Sequence, residues 1–135
     1  MTITFIDSGV LVLAARGVEE LSEQAISTIT ANDRELASSS LIKLEVLTKA
    51  NYCRQTDEIE FYETFFGAVK YWADDIEKII QDGYDMSCQY GLAAMDALHL
   101  AAAISVGAEE FITTEQPTKP MYRVTAIKVI SLFES

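Results

Sequence analysis

The sequence predicts an α/β fold: a single-domain, three-layer α/β/α protein in which helices cover both faces of a central parallel sheet of four to five strands. Short apolar segments alternate with longer segments of helical periodicity along the whole chain, which is typical of βαβ units. A length of 135 residues suits one domain. Half of the residues are hydrophobic, and there are only six glycines and two prolines, which favours a compact chain. We therefore expect residues 1–135 to form one domain.

The N-terminal segment predicts a buried strand followed by two helices. Residues 2–6 are mostly apolar and end at Asp7, as expected of a strand that is covered on both faces. Residues 8–15 predict a short helix that stops at Gly17, because glycine commonly terminates helices. Residues 18–30 predict a second helix, with apolar residues at helical spacing and acidic residues in its first turn.

The middle segment predicts a second strand, two helices and a third strand. Residues 34–39 form the strand, and Ser40 is the expected N-cap of a helix that continues to about Gln55. Residues 56–67 predict another helix, and residues 68–73 a short strand. The aromatic side chains of this segment favour core or dimer packing over base stacking. They are Phe61, Tyr62, Phe65, Phe66, Tyr71 and Trp72.

The C-terminal segment predicts two helices and two strands. Residues 74–90 form the first helix, and the alanine-rich residues 92–106 form the second. Residues 110–114 and 126–132 predict the last two strands. Since strands alternate with helices throughout, we expect right-handed crossovers between parallel strands.

The net charge of −11 argues against nucleic acid as a partner. Nucleic-acid binding gains most of its affinity from Lys and Arg, and a negative field repels phosphates. Two arrangements remove the conflict. Bound cations can reverse the local sign at a cluster of carboxylates, or a basic partner protein can cover the acidic surface.

The sequence indicates a soluble, cytoplasmic protein with no membrane segment. Residues 1–7 contain no basic region of the kind that begins a signal peptide. The most apolar stretch, residues 91–107, is too short to span a bilayer. Cys53 and Cys88 lack Cys-x-x-Cys spacing, so we expect both to be buried thiols in a reducing compartment.

Four acidic residues are predicted to meet at one edge of the sheet. Asp7 directly follows the first strand and Glu115 directly follows the strand over 110–114. Both should therefore lie at the carboxyl edge, where open parallel sheets bind ligands. Asp96 opens the helix that leads into that later strand, and Glu45 lies about one turn into the helix after the second strand. Topology thus brings all four within reach of a common point.

Each acid also has a purely structural interpretation. Asp7 and Asp96 are candidates for helix N-caps. Glu45 precedes Lys49 by four residues, the favourable order for an exposed pair worth about 0.3 kcal/mol, and Glu115 alone indicates little. Asp96, however, starts a helix that is apolar almost all round. A bare carboxylate there costs on the order of several kcal/mol, which favours a partner.

Together the four carboxylates predict a site for a divalent metal ion. Clustered carboxylates raise one another's pKa unless a cation neutralises them. Oxygen ligands select hard cations, so we expect Mg²⁺ or Mn²⁺. Zinc is not expected, since one His and two dispersed Cys supply no zinc cage. Such ions clamp phosphodiesters and activate water, which points to phosphodiester hydrolysis without a protein nucleophile.

Four segments resemble a PIN domain, the fold of VapC-type toxin ribonucleases. Residues 3–11 (ITFIDSGVL) are similar to the family's opening strand with its first metal-binding acid, and residues 44–46 (LEV) to the second-acid segment. Residues 90–103 (YGLAAMDALHLAAA) are similar to the family's third-acid helix almost letter for letter. Residues 111–115 (FITTE) are similar to the strand before the fourth acid. The resemblance covers essentially the whole chain.

The resemblance implies metal-dependent cleavage of RNA by Asp7, Glu45, Asp96 and Glu115, frequent homodimers, and an antitoxin protein as partner. One position departs from the family pattern, because the fourth acid is usually Asp and here is Glu115. An alternative is a catalytically degenerate PIN-like module that acts through protein or nucleic-acid binding, which the charge and Glu115 also fit. A phosphatase or receiver domain with Asp7 as nucleophile fits poorly, since no second Asp stands two residues later.

Three other residues carry weaker signals. His99 lies one turn after Asp96, and a lone histidine in an apolar helix more often packs with one buried hydrogen bond than acts as a base. Lys119 and Arg123 follow Glu115 closely, and we expect surface charges there rather than phosphate contacts.

Overall fold

The computed structural model describes residues 1–133, which form five strands, six α-helices and a short 3-10 helix at Pro120–Arg123. Strands alternate with helices or helix pairs, as predicted. The elements are β1 (Thr2–Ile6), α1 (Ser8–Arg16), α2 (Glu19–Ile29), β2 (Arg34–Ser38), α3 (Ser40–Tyr52), α4 (Thr56–Ala68), β3 (Tyr71–Trp72), α5 (Ile76–Tyr90), α6 (Ala94–Ser105), β4 (Glu110–Thr113) and β5 (Lys128–Ser131).

The five strands form one parallel sheet in the order β3-β2-β1-β4-β5. β1 is central, with Phe5 opposite Ala37 of β2 and Phe111 of β4. The chain builds outward from β1 to β3, then returns to the other side of β1 through β4. The strand order thus reverses between β1 and β4, and open parallel sheets usually bind ligands at the carboxyl edge beside such a reversal.

The helices form two layers. α1 packs against α2, α3 and α4, whereas α5 packs against α6. Right-handed crossovers place these two groups on opposite faces of the sheet. The core between them is apolar, with Phe5 stacked on Phe111 at 5.6 Å between ring centroids and Leu100 of α6 fully buried. The predicted three-layer fold is confirmed.

Element boundaries differ from the predictions where neighbouring residues have similar propensities. The N-cap of α3 is Ser39, not Ser40: the buried Ser39 hydroxyl accepts from the Ile42 N–H at 3.4 Å. Ser40 is already helical, and its N–H and hydroxyl donate to Asp74 Oδ1 at 3.0 and 2.9 Å. Two adjacent serines cap equally well by type, so tertiary burial decides between them.

Other boundaries also shift. α3 ends at Tyr52 rather than near Gln55, and α6 begins at Ala94 rather than at residue 92. β3 has only two residues, because its neighbour β2 offers pairing only at its carboxyl end. The 3-10 helix was not predicted; it begins at Pro120, which suits the first position of a helix.

The two cysteines were predicted to be buried, and that prediction is wrong. Cys53 and Cys88 are both free and exposed. Cys53 follows the last turn of α3 and Cys88 lies on the outer side of α5, so neither contributes to the core. Within residues 1–133, the longest apolar helix is still too short or too polar to cross a bilayer.

Candidate metal centre

Asp7 lies where β1 passes into α1. It is the N-cap of α1, as its structural interpretation proposed, and its Oδ1 accepts from the Ser8 N–H at 2.8 Å. Its Oδ2 accepts from the Thr113 hydroxyl at 2.8 Å, which joins the ends of β1 and β4. Asp7 is only 8% exposed. Burial raises its pKa, an effect that the Thr113 hydrogen bond and His99 partly oppose and Glu45 reinforces.

Glu45 lies on the second turn of α3 and is bonded to His99 of α6. His99 Nε2 is 2.6 Å from Glu45 Oε1. The exposed ion pair between Glu45 and Lys49, which the sequence suggested, is not among the ion pairs of residues 1–133. His99 is buried with one hydrogen bond, as predicted, and within the described part of the chain its Nδ1 has no partner. Glu45 therefore belongs to a contact between helices, not to a solvated salt bridge.

Asp96 is the third residue of α6 and lies in its first turn. The N-cap is Ala93, so the capping interpretation of Asp96 is wrong. Asp96 is half-buried. Burial raises its pKa, the negative charges of Asp7 and Glu115 raise it further, and His99 and Lys119 lower it. The charges of Asp7 and Glu115 therefore both act on Asp96.

Glu115 follows β4 with its backbone fixed by two hydrogen bonds. Its N–H donates to the Thr113 hydroxyl at 3.1 Å, and its carbonyl oxygen accepts from the Tyr122 hydroxyl at 2.8 Å. Thr113 thus links Asp7 to the backbone of Glu115. This position is therefore held in place by contacts that do not involve the Glu115 side chain.

The donor set fits a particular kind of metal site. Within residues 1–133, no three His, Cys, Asp or Glu side chains come close enough to enclose an ion. Zinc and calcium sites need such a cage, but Mg²⁺ usually keeps several waters and binds through one or two carboxylates. Asp7 and Asp96, whose pKa values are both raised, fit a water-rich Mg²⁺ or Mn²⁺ ion. The charge of Glu45 also raises the pKa of Asp7, and that of Glu115 raises the pKa of Asp96.

Thr113 is the site residue that the sequence did not reveal. Its hydroxyl is fully buried and contacts both Asp7 and the Glu115 backbone. A threonine near the end of a strand is common for reasons of strand propensity alone. Only the pairing of β1 with β4 shows which carboxylate it meets.

A family model of the PIN domain matches residues 4–116, which include all four acids. The chain belongs to the PIN domain family. The match also includes the second half of β1, which leads into Asp7, and the whole of α6, in which Asp96 lies. A comparison with curated protein sequences gave no match.

Two solved structures are similar to this PIN domain in fold. One is VapBC2 from Rickettsia felis bound to a DNA fragment from their promoter, with a TM-score of 0.73 and 14% identity over 96% of this chain and 98% of that chain. Another is a toxin–antitoxin complex from Klebsiella pneumoniae, with a TM-score of 0.75 and 19% identity over 98% of this chain and 99% of that chain. At these identities the likeness shows the shared fold.

Proposed function

We propose that this PIN domain is an endoribonuclease that hydrolyses RNA phosphodiester bonds with Mg²⁺ or Mn²⁺. The observation that carries the proposal is that the charge of Asp7, which follows β1, raises the pKa of Asp96, close to the point where the strand order reverses between β1 and β4. Both carboxylates have a raised pKa because they are buried. A divalent cation offsets the cost of keeping these two carboxylates ionised, so the ionised forms of Asp7 and Asp96 are stabilised when a cation binds.

The four acids and their partners have distinct roles in this proposal. Asp7 and Asp96 hold the ion, and Glu45 and Glu115 complete the negative edge. Bound Mg²⁺ or Mn²⁺ supplies the charge that stabilises the phosphodiester in the transition state and activates water. The Ser8 N–H and the Thr113 hydroxyl fix both oxygens of Asp7, and His99 fixes Glu45 through Oε1. Fixed ligands lower the reorganisation needed during reaction.

We also propose that the protein is the toxin of a type II toxin–antitoxin pair, that it forms homodimers, and that it acts in the cytoplasm. By their descriptions, one compared structure is a VapBC complex with promoter DNA and the other is a toxin–antitoxin complex. A net charge of −11 complements a basic segment of an antitoxin. The free, exposed Cys53 and Cys88 suit a reducing compartment.

RNA cleavage by the purified protein tests the nuclease proposal. Wild type is incubated with RNA and either Mn²⁺, Mg²⁺ or a chelator. Asp96→Asn removes one charge from the site, and Asp33→Asn removes the same charge from an exposed position before β2, at the opposite edge of the sheet. We expect metal-dependent cleavage by wild type and Asp33→Asn, and a loss of at least about 100-fold in Asp96→Asn.

Two results would overturn the nuclease proposal. One is RNA that stays intact with wild type at every metal concentration, and the other is equal cleavage by Asp96→Asn and Asp33→Asn. Either result favours the catalytically degenerate module, whose function is binding alone.

A further inference from the structure

Two exposed lysines of this acidic chain lie in segments that follow the carboxyl ends of strands. Lys43 and Lys119 are both exposed, and neither forms an ion pair within residues 1–133. By contrast, four other cations are paired with carboxylates. These pairs are Arg16 with Glu58, Arg34 with Glu110, Lys70 with Glu35, and Lys78 with Asp82.

Lys43 is held in place by two aromatic rings. Its Nζ lies 5.0 Å from the centroid of the Trp72 ring and 5.5 Å from that of Phe66. Cation–π attraction at an exposed site is worth about 0.5–1 kcal/mol. The two rings restrain the Lys43 ammonium group, but they do not neutralise its charge as a carboxylate would. The charge of Lys43 therefore remains available to an anion.

The strand register gives the position of Trp72, the residue that Lys43 contacts, relative to the end of β1. Trp72 pairs with Ser38 of β2, which is one residue beyond the Ala37–Phe5 pair of β2 and β1. Trp72 is thus level with the last residue of β1, two strands away. Two spacings of about 4.8 Å put it about 10 Å from the chain segment that leads into Asp7.

Lys119 lies on the other side of the acids, in the loop after β4. Its N–H donates to the Gln116 carbonyl at 3.0 Å, and the 3-10 helix starts at the next residue. The Tyr122 hydroxyl fastens that helix to the Glu115 carbonyl at 2.8 Å. Arg123 of the same helix donates to the Tyr90 carbonyl at 3.3 Å. Arg123 and Lys119 are both exposed. One N–H of Arg123 is engaged with a backbone carbonyl, whereas the Lys119 ammonium group makes no hydrogen bond or ion pair within residues 1–133.

We propose that Lys43 and Lys119 are phosphate contacts for a single RNA strand that crosses the carboxyl edge of the sheet over Asp7 and Asp96. The inference rests on the nuclease proposed above. Lys43 binds a phosphate on the β3 side of the cleaved bond, and Lys119 binds one on the β4 side. The acidic remainder of the surface repels RNA, so these two charges determine where the strand lies.

The salt dependence of RNA binding tests this inference. The logarithm of the association constant falls against the logarithm of salt concentration with a slope of about −0.7 per phosphate contact on a single strand. Two contacts therefore predict a slope of about −1.4 for wild type, about −0.7 for Lys43→Gln or Lys119→Gln, and near zero for the double variant. Fluorescence anisotropy with a labelled oligoribonucleotide measures this slope, with Mg²⁺ present at constant concentration and the RNA checked for cleavage.

Two further variants provide matched controls. Lys128→Gln removes the same charge at the opposite edge, where β5 begins, and should leave the wild-type slope unchanged. Lys43→Arg keeps the charge over the rings and should also keep the slope. A slope that drops in Lys43→Arg as much as in Lys43→Gln overturns the inference, since it would mean that packing rather than charge matters.

The outcomes separate this inference from the proposed function. Equal slopes for Lys43→Gln, Lys119→Gln and Lys128→Gln, in a wild type that binds and cleaves RNA, overturn the two phosphate contacts and leave the nuclease intact. A wild type that neither binds nor cleaves RNA overturns the nuclease itself, and this inference with it.

Discussion

His99 Nε2 lies 2.6 Å from Glu45 Oε1, and this contact connects α6 to α3, which belong to different helical layers. The His99 side chain is 3% exposed and that of Glu45 is 35% exposed. A buried group therefore holds a partly exposed carboxylate in one orientation. Such support from a rigid element keeps a site close to its productive geometry before the substrate arrives.

Replacing His99 with Leu should impair the nuclease by removing the hydrogen bond to Glu45. Loss of an outer partner of a metal site typically costs about 10–100-fold in affinity or activity. We expect a loss in this range, together with a higher Mn²⁺ concentration for half-maximal cleavage. His99→Gln retains a side-chain N–H and should recover much of the activity. Unchanged Mn²⁺ dependence in His99→Leu, in a protein that is still folded, would contradict the role.

Asp96→Asn should stabilise the metal-free protein while it abolishes activity. The half-buried Asp96 lies near the negative charges of Asp7 and Glu115, which raise its pKa. Removing its charge relieves that repulsion. We expect the Tm to rise by about 2–4 °C for each 1 kcal/mol gained. Thermal unfolding without and with Mg²⁺ measures both effects. Without metal, the variant should have a higher Tm than wild type, and Mg²⁺ should raise the Tm of wild type but not that of the variant.

The stability of the metal-free protein should depend on pH through Asp7 and Asp96. Their pKa values are raised above the ordinary value of 3.8, so the native state binds their protons more tightly than the unfolded state does. The two ionised carboxylates therefore lower the free energy of unfolding. This loss of stability is complete above the raised native pKa, and it disappears as pH falls through that pKa towards 3.8. Denaturant unfolding of wild type and the Asp7→Asn/Asp96→Asn double variant should show the variant's advantage shrinking on acidification. An advantage that grows instead would refute this assignment.

Thr113→Val should weaken the metal site with little change in shape. The Thr113 hydroxyl donates to Asp7 Oδ2 at 2.8 Å and lowers the pKa of Asp7. Without it, the Asp7 pKa should rise further, so protons should compete better with metal. A hydrogen bond to a charged group contributes about 1.5–3 kcal/mol. Calorimetric titration with Mn²⁺ should give weaker binding, with a larger deficit at lower pH; equal affinity at all pH values argues against the bond's role.

Glu115 should be the most tolerant of the four acids. Its side chain affects Asp96 through charge, while its backbone position is fixed by Thr113 and Tyr122. Glu115→Gln should therefore reduce cleavage by about 10-fold or less, well below the effect of Asp96→Asn. Glu115→Asp should retain activity, since the charge remains. Initial cleavage rates at saturating Mn²⁺ make the comparison, and a loss in Glu115→Gln equal to that in Asp96→Asn would assign Glu115 a primary role.

Much of the fold was predictable because local patterns and global packing agree. The apolar run of β1 and the all-round apolar α6 can only be buried, and alternating elements leave few topologies open. β3 was harder to predict from the sequence, because it consists of only two residues, Tyr71 and Trp72, that pair with β2. The exposure of Cys53 and Cys88 was missed, since a residue type gives only an average burial.

The site was less predictable than the fold. Topology predicted that Asp7 and Asp96 would share an edge, and the structure adds that the charge of Asp7 raises the pKa of Asp96. The bonds that hold the acids were not visible in the sequence. His99 and Glu45 are 54 residues apart, and Asp7 and Thr113 are 106 residues apart. Such partners are chosen by tertiary packing, and one sequence contains no local signal for them.

The separation of 106 residues between Asp7 and Thr113 also affects how a new molecule matures. β1 leaves the ribosome first, but it gains β4 as a neighbour only after all six helices have been made. At about 5–20 residues per second, that interval lasts on the order of 5–20 s. During this time Asp7 has neither its hydroxyl donor nor Asp96 beside it. The nuclease proposed here would therefore stay inert as a nascent chain, and would spare the message that encodes it until translation is nearly over.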